Sequence, residues 1–90
     1  MQITYIYAYA LNKGLHMIRF NSAEELGSII RAERKRRGYT QSMLADFSGV
    51  GLTFVSQLER GKPTAELEKT LRVTQTLGIN LFAESRLDNE

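Results

Sequence analysis

Apolar residues recur at helical spacing through the middle of the chain and predict a series of short helices. Ser22 followed by Glu25 has capping-box spacing, so we expect the first helix to begin there and to end at Gly38. Thr40 is the next candidate N-cap, for a second helix that runs through Phe47. Both helices carry apolar stripes that need a partner to cover them.

Two further helices complete the pattern. The third is predicted over residues 52–60 and ends at Gly61, while the fourth starts at Pro63 and Thr64 and ends at Gly78. Together the four helices predict a compact all-α core. The buried side of the fourth helix is predicted to consist of Leu67, Leu71 and Leu77.

At both ends of the chain, the alternation of side-chain types changes from helical spacing to a period of two. Residues 3–10 place three tyrosines on one face and smaller or aliphatic residues on the other, which favours a strand. Residues 79–84 also alternate and predict a strand after the last helix. Met17 is an alternative start of the protein, in which case residues 1–16 are an upstream extension.

Composition narrows the classes of function. The chain has 90 residues, no cysteine and one histidine, His16, which leaves no thiolate nucleophile and no set of zinc ligands. No apolar run approaches the roughly 20 residues that span a bilayer. Acidic and serine side chains lack a partner base, so we expect no enzyme activity, no cofactor and no metal.

The charge is unevenly distributed. Residues 31–62 contain seven basic and three acidic side chains and carry +4, whereas the rest of the chain carries −2. A basic centre between acidic flanks favours a surface that faces a polyanion, although any one such cluster is usually a solvated helix end.

Residues 41–58, QSMLADFSGVGLTFVSQL, have the pattern of a helix-turn-helix motif. Ala45 is small where two helices must cross closely, and Gly49 falls in the turn, where a positive φ is needed. Val55 and Leu58 fix the second helix against the first. Ser48 occupies a position that is often apolar, and we expect the neighbouring Phe47 to cover the gap.

The segments RGYTQSMLADFSGV, VSQLERGK and LRVTQTLGI resemble the Xre/Cro-type repressor family over about residues 20–78. The short strand after the last helix and the overall size are most similar to HipB-type antitoxins, which partner HipA-type kinase toxins. The resemblance implies a lambda-repressor-like bundle of four to five short helices, with a C-terminal β-strand paired across a dimer. Its implied ligand is a palindromic double-stranded DNA operator.

In such a fold the helix at residues 52–60 enters the major groove, N-terminus first. Gln57 is expected to pair bidentately with adenine, and Thr53 and Ser56 to donate or accept at base edges. Leu52 offers apolar contact only. The alternative for Leu52, Ser56 and Gln57 is plain helix surface.

Phosphate contacts are expected from the ends of these helices, where side chains and backbone donors face the DNA backbone. Arg36 and Arg37 have an alternative role, in which they only complement a helix C-terminus. The resemblance also implies a partly buried structural ion pair between Arg34 and Glu59. The expected phosphate-contacting residues are Gln41, Ser42, Arg36, Arg37, Arg60 and Lys62.

Dimerisation follows from the small size of one half-site and from an unpaired tail. Ile79, Leu81 and Phe82 are the expected dimer interface, with a frayed tail as the alternative. The predicted organisation is therefore an N-terminal extension or strand at 1–16, a DNA-binding domain at 17–78, and a dimerisation strand with a short tail at 79–90.

The sequence predicts a sequence-specific repressor, the antitoxin of a HipA-type pair that autoregulates its operon. One alternative is a protein-binding module that mainly neutralises a kinase-like toxin. Another is a solitary phage-type or controller repressor. In each case we expect a cytoplasmic protein, held at the nucleoid by its operator and without a membrane partner.

Overall fold

The computed structural model describes residues 17–86. Within them the helices are α1 (Ala23–Arg36), α2 (Gln41–Ser48), α3 (Leu52–Glu59) and α4 (Leu67–Thr76). The prediction of an all-α bundle of four short helices is confirmed. None of the four is long and apolar enough to cross a membrane. The predicted strand at residues 3–10 lies outside the described residues, as does His16.

The first two helices begin at the predicted N-caps. Ser22 Oγ accepts a hydrogen bond from the Glu25 backbone N–H at 3.0 Å, and Thr40 Oγ1 accepts one from Met43 N–H at 3.0 Å. The Glu25 carboxylate accepts from Asn21 N–H at 2.6 Å, one residue before the position that a capping box uses. The bonds to Ser22 and Thr40 each satisfy a backbone donor that the first turn of α1 or of α2 would otherwise expose.

The core lies where the helices of the motif meet α1 and α4. Helix α3 packs against α1 and α2, and α4 packs against α2. Ala45 is 3% exposed, which agrees with the small residue that the motif requires at this crossing. The buried hydrophobic residues are Ile30, Leu44, Ala45, Val55, Leu58, Val73 and Leu77.

The predicted start of the last helix is wrong. Helix α4 begins at Leu67, not at Pro63 and Thr64. Ala65 N–H donates to the Lys62 carbonyl at 3.3 Å, so Pro63 and Thr64 are the central residues of a turn. Proline fits the second position of a turn as well as it fits a helix start, because both need the same φ.

The predicted buried side of α4 is also partly wrong. Leu67 is 69% exposed, whereas two threonines are buried together with Val73. Thr70 Oγ1 donates to the Glu66 carbonyl at 2.7 Å and Thr74 Oγ1 donates to the Leu71 carbonyl at 2.9 Å. With each hydroxyl satisfied by its own helix, the threonine methyl can pack in the core.

Ser48 is buried without help from its neighbour. Its hydroxyl donates to Thr76 Oγ1 at 3.0 Å, which ties the end of α2 to the end of α4. Phe47 does not cover it, because this ring is exposed and packs edge-to-face on Tyr39 with 5.2 Å between centroids. A polar side chain therefore fits this position through a partner on another helix.

The predicted C-terminal strand is not formed in the single chain. Residues 79–86 have no regular secondary structure, and no strand occurs elsewhere in residues 17–86 to pair with them. Ile79 N–H donates to the Thr74 carbonyl at 2.8 Å, and its side chain packs against the core. A lone strand has no ladder of hydrogen bonds, so this segment needs a partner before it can form one.

Candidate nucleic-acid interface

Helix α3 is held in the bundle by one face. Val55 and Leu58 are 0% and 4% exposed and pack into the core. The turn before the helix has Gly49 at φ +70, and Val50 N–H donates to the Ala45 carbonyl at 3.0 Å. A side chain at Gly49 would be strained in this conformation, so the glycine fixes the angle at which α3 leaves α2.

The opposite face of α3 is turned to solvent. Thr53 and Leu52 are exposed, and Ser56 and Gln57 are half-buried. None of the four belongs to the core cluster of the described residues. The four side chains that the sequence assigned to base contact are therefore together on one accessible face.

The N-terminal end of α3 is open. Its N-cap is Gly51, which has no side chain to accept from the first turn, and Val55 N–H is the first amide to donate to a backbone carbonyl of the helix, that of Gly51. The backbone N–H groups of the first turn thus point outward with the positive end of the helix dipole.

The C-terminal end of α3 is locked by a buried ion pair. Arg34 Nε donates to Glu59 Oε2 at 2.6 Å and Arg34 Nη2 donates to Oε1 at 3.1 Å. Arg34 Nη1 also donates to the Tyr39 carbonyl at 2.8 Å, and Gln41 Nε2 donates to Glu59 Oε1 at 3.0 Å. One carboxylate therefore joins the end of α3 to α1 and to the start of α2.

The backbones of α1 and α3 also lie in close contact. A Cβ on Gly27 would overlap the Leu58 carbonyl oxygen and lie 2.8 Å from that of Glu59. A Cβ on Gly61, just after α3, would lie 2.6 Å from Glu24 Cα. Glycine at these two positions lets the helices approach at backbone distance, and it makes α1 a rigid support for α3.

The predicted phosphate-contacting residues fall into two groups. The first group borders α3: Arg60 and Ser42 are exposed, Gln41 donates to Glu59, and Lys62 Nζ donates to Gln57 Oε1 at 3.1 Å. These side chains lie at the ends of the two motif helices, where the sequence placed them.

Arg36 and Arg37 form the second group, and both are paired within α1. Glu33 accepts from Arg36 at 2.6 Å and from Arg37 at 3.0 Å. The hydrogen bond from Arg36 holds the pKa of Glu33 below its ordinary value, with a further contribution from Arg37. The Arg37 guanidinium also lies beside Gly78, at the far end of α4. This geometry matches the alternative role that the sequence allowed for the two arginines.

Arg31 is a basic residue that the sequence did not single out. It lies one turn after Gly27 and one turn before Arg34, and both of these contact the end of α3. Residues at such spacing share one face of a helix, so Arg31 lies on the side of α1 that borders α3. It is exposed and has no carboxylate within 4.0 Å in residues 17–86. Its spacing from Gly27 and Arg34 is the signal that would have found it.

The predicted dimer residues lie beside the second half of α4. Leu81 and Phe82 are 37% and 76% exposed, while Ile79 is half-buried. Together with the last turns of α4 they line an open groove. The three residues are close together in that groove.

Sequence comparison identifies the family. A helix-turn-helix family model, HTH_3, matches residues 30–82. An uncharacterized HTH-type transcriptional regulator, y4mF, from Sinorhizobium fredii is 43% identical over 63 residues, which are 70% of this chain and 83% of that protein.

Solved structures give the same fold. The HipB-O4 20mer complex superposes with a TM-score of 0.71 at 21% identity, over 78% of this chain and 99% of that chain. A HipA-HipB-O2-O3 complex gives the same values. The restriction-modification controller protein C.AhdI from Aeromonas hydrophila has a TM-score of 0.59 at 29% identity, over 64% of this chain and 88% of that chain.

Proposed function

The chain belongs to the HTH_3 helix-turn-helix family of DNA-binding transcriptional regulators, and from that premise we propose that it is a sequence-specific repressor. The observation that carries the proposal is the contrast across α3, whose apolar face is buried and whose polar face is open. A helix held in this way can enter the major groove without rearranging the bundle.

Base recognition is assigned to the open face. Thr53 and Ser56 can donate to or accept from base edges, and the Thr53 methyl can contact a thymine methyl. Gln57 adds an amide at the end of the same stripe, while Leu52 contributes apolar contact. Because these groups are few, we expect DNA shape to contribute to the choice of site.

Phosphate binding is assigned first to the side chains around α3. Arg60, Lys62 and Arg31 supply positive charge, and Ser42 supplies a hydroxyl beside the open N–H groups at the start of α2. Gln41 has one amide hydrogen on Glu59 and one left for a phosphate oxygen. Arg36 and Arg37 would contribute less, because Glu33 offsets their charge.

Dimerisation through the tail is the second part of the proposal. A single half-site of a few base pairs gives little selectivity in a genome, so two copies on a palindromic operator are needed. Leu81 and Phe82 are exposed on a segment that has no strand partner within residues 17–86, and a second copy would supply one. We therefore assign Ile79, Leu81 and Phe82 to the interface between two copies.

An antitoxin role is the third part. The similarity to HipB extends over nearly all of that chain, and HipB is found in complex with HipA. We propose that this protein likewise binds a kinase toxin of the HipA class and represses their shared operon in the cytoplasm. The similarity to C.AhdI favours a second candidate, a controller repressor without a toxin.

Salt dependence of DNA affinity tests the first part. If a dimer neutralises about 8 phosphates, the logarithm of the affinity falls with the logarithm of the salt concentration at a slope of about −7. A slope near zero would contradict DNA binding by this surface.

Deletion of residues 79–90 tests the dimer interface. It should give monomers in sedimentation, whereas an unchanged dimer would place the interface elsewhere.

The antitoxin role has its own test. A HipA-class kinase encoded beside this protein should co-elute with the purified full chain and lose its kinase activity on mixing. A DNA-bound dimer that leaves such a kinase active would favour the controller alternative.

A further inference from the structure

Lys62 is tied to Gln57 twice. Its backbone N–H donates to the Gln57 carbonyl at 3.0 Å, and its ammonium donates to the Gln57 side-chain oxygen at 3.1 Å. The chain reaches this position through Gly61, at φ +86, which is packed against Glu24 of α1. The placement of Lys62 beside Gln57 is thus built into the bundle and does not depend on a mobile loop.

The contact fixes the orientation of the Gln57 amide. A lysine ammonium has three donors and no acceptor, so the amide atom that faces it must be the oxygen. The amide nitrogen, with two N–H donors, is then turned away from Lys62. The ammonium keeps further N–H donors of its own beside the amide.

A pair arranged in this way presents donors almost exclusively. Adenine in the major groove offers an acceptor, N7, and a donor, the N6 amino group, so a glutamine that reads it must use its oxygen as well as its nitrogen. Guanine offers two acceptors, N7 and O6. An ammonium beside the Gln57 oxygen repels the adenine amino group and attracts guanine O6.

We propose that Gln57 and Lys62 act together as a donor pair that selects guanine over adenine at one position of each half-site. The inference rests on the proposed function, because it needs α3 to enter the major groove. It replaces the expectation that Gln57 pairs with adenine. Lys62 is then a specificity-determining residue in addition to a phosphate contact.

The test is selection of bound duplexes from random DNA with the full chain, its Lys62→Met variant and a Lys35→Met control. Methionine keeps the length of the side chain and removes the ammonium. Lys35 is an exposed lysine on α1 that makes no hydrogen bond to Gln57, so its substitution makes the same change in net charge and leaves the Lys62–Gln57 contact in place. Circular dichroism checks that all three proteins are folded.

We expect guanine at one position of each half-site with the unchanged protein and with Lys35→Met. Lys62→Met should shift the guanine-to-adenine ratio at that position toward adenine by about tenfold, because the freed oxygen can then accept from N6. Gln57→Ala should abolish the preference at the same position, both in the unchanged protein and in the Lys62→Met variant. That result would tie the two residues to one base.

Two results would overturn the inference while leaving the proposed function intact. One is a preference for adenine at the Gln57-dependent position of the unchanged protein. The other is a Lys62→Met variant that weakens binding equally to all sequences, which would make Lys62 a phosphate contact only. Failure of the unchanged protein to select any sequence would instead overturn the proposed function itself.

Discussion

The two ends of α3 are built in opposite ways. At the C-terminal end, Glu59 accepts from Arg34 and Gln41, and Gly27 brings α1 into contact with the α3 backbone. At the N-terminal end, Gly51 offers no cap and the first side chains are exposed. One end is fixed by several polar and backbone contacts, whereas at the other end the side chains of Leu52 and Thr53 are open to solvent.

This difference separates support from recognition. Side chains that read DNA lose affinity if their helix can shift, because ordering it on binding costs free energy. The fixed end removes that cost in advance, and the open end leaves donors and side chains free for a ligand. Substitutions at the fixed end should therefore alter stability, and substitutions on the open face should alter binding.

The largest effect is expected from Glu59→Ala. It leaves the Arg34 guanidinium buried without its counter-charge, which should lower the free energy of unfolding by about 3 kcal/mol. Urea denaturation measures the loss. Replacing both partners with methionine should recover part of it, because no unpaired charge then remains. A Glu59→Ala protein within about 1 kcal/mol of the original would show that the pair does not lock α3.

Gly27→Ala should also destabilise the fixed end, by about 2 kcal/mol. Alanine normally favours a helix over glycine by about 1 kcal/mol, so a net loss reports the overlap with the Leu58 carbonyl. Ser28→Ala, at the exposed neighbouring position, is the control and should change stability little. Equal stability of the two variants would mean that α1 and α3 can separate without cost.

Gln57→Ala tests the open face. It should weaken binding to the selected operator by about 1–3 kcal/mol and binding to random DNA far less. Its free energy of unfolding should stay within about 0.5 kcal/mol of the original, as for other surface substitutions. Fluorescence anisotropy on both duplexes gives the comparison. The same loss on both would assign Gln57 to phosphate binding.

Gly51→Ser should make the N-terminal end of α3 more like its C-terminal end, because it adds a cap. A serine N-cap can accept from the first turn of α3, which should stabilise the protein by a few tenths of a kcal/mol. Thermal unfolding measures the gain, and Gly51→Ala, which adds a side chain without an acceptor, should not show it. If serine gives no gain, the first-turn amides are already satisfied.

The smallest effect concerns Glu33, whose carboxyl pKa is lowered by its hydrogen bond from Arg36. A carboxyl with a lowered pKa contributes stability above its unfolded value, near 4.5, and loses it as the pH falls through the folded pKa. Glu33→Gln should therefore lower the stability slightly at neutral pH, leave it unchanged below the folded pKa, and so remove this part of the acid dependence. If the loss of stability between pH 7 and pH 2 is the same in Glu33→Gln as in the original protein, the pairing of Glu33 with Arg36 is contradicted.

Sequence patterns predicted the features that lie within one helix or one short motif. Ser22 and Thr40 cap helices because their side chains reach only three residues ahead. The turn at Gly49 follows from its own φ. The family resemblance added the pairing of Arg34 with Glu59, which spans 25 residues and has no local signal.

Contacts between elements were harder to predict. The bond from Lys62 to Gln57 depends on how the chain turns at Gly61. The apolar periodicity also predicted the wrong buried face for α4. It takes only the apolar residues into account and cannot show that a threonine hydroxyl is satisfied within its own helix. Residues 79–84 were predicted as a strand although their pairing partner would be a second molecule.

A crystal structure of the full chain with a duplex from the selection experiment would show whether α3 enters the major groove. We expect Thr53, Ser56 and Gln57 within hydrogen-bond distance of base edges there, with Glu59 still bound to Arg34. A duplex held on another surface, with the outer face of α3 in solvent, would contradict this expectation.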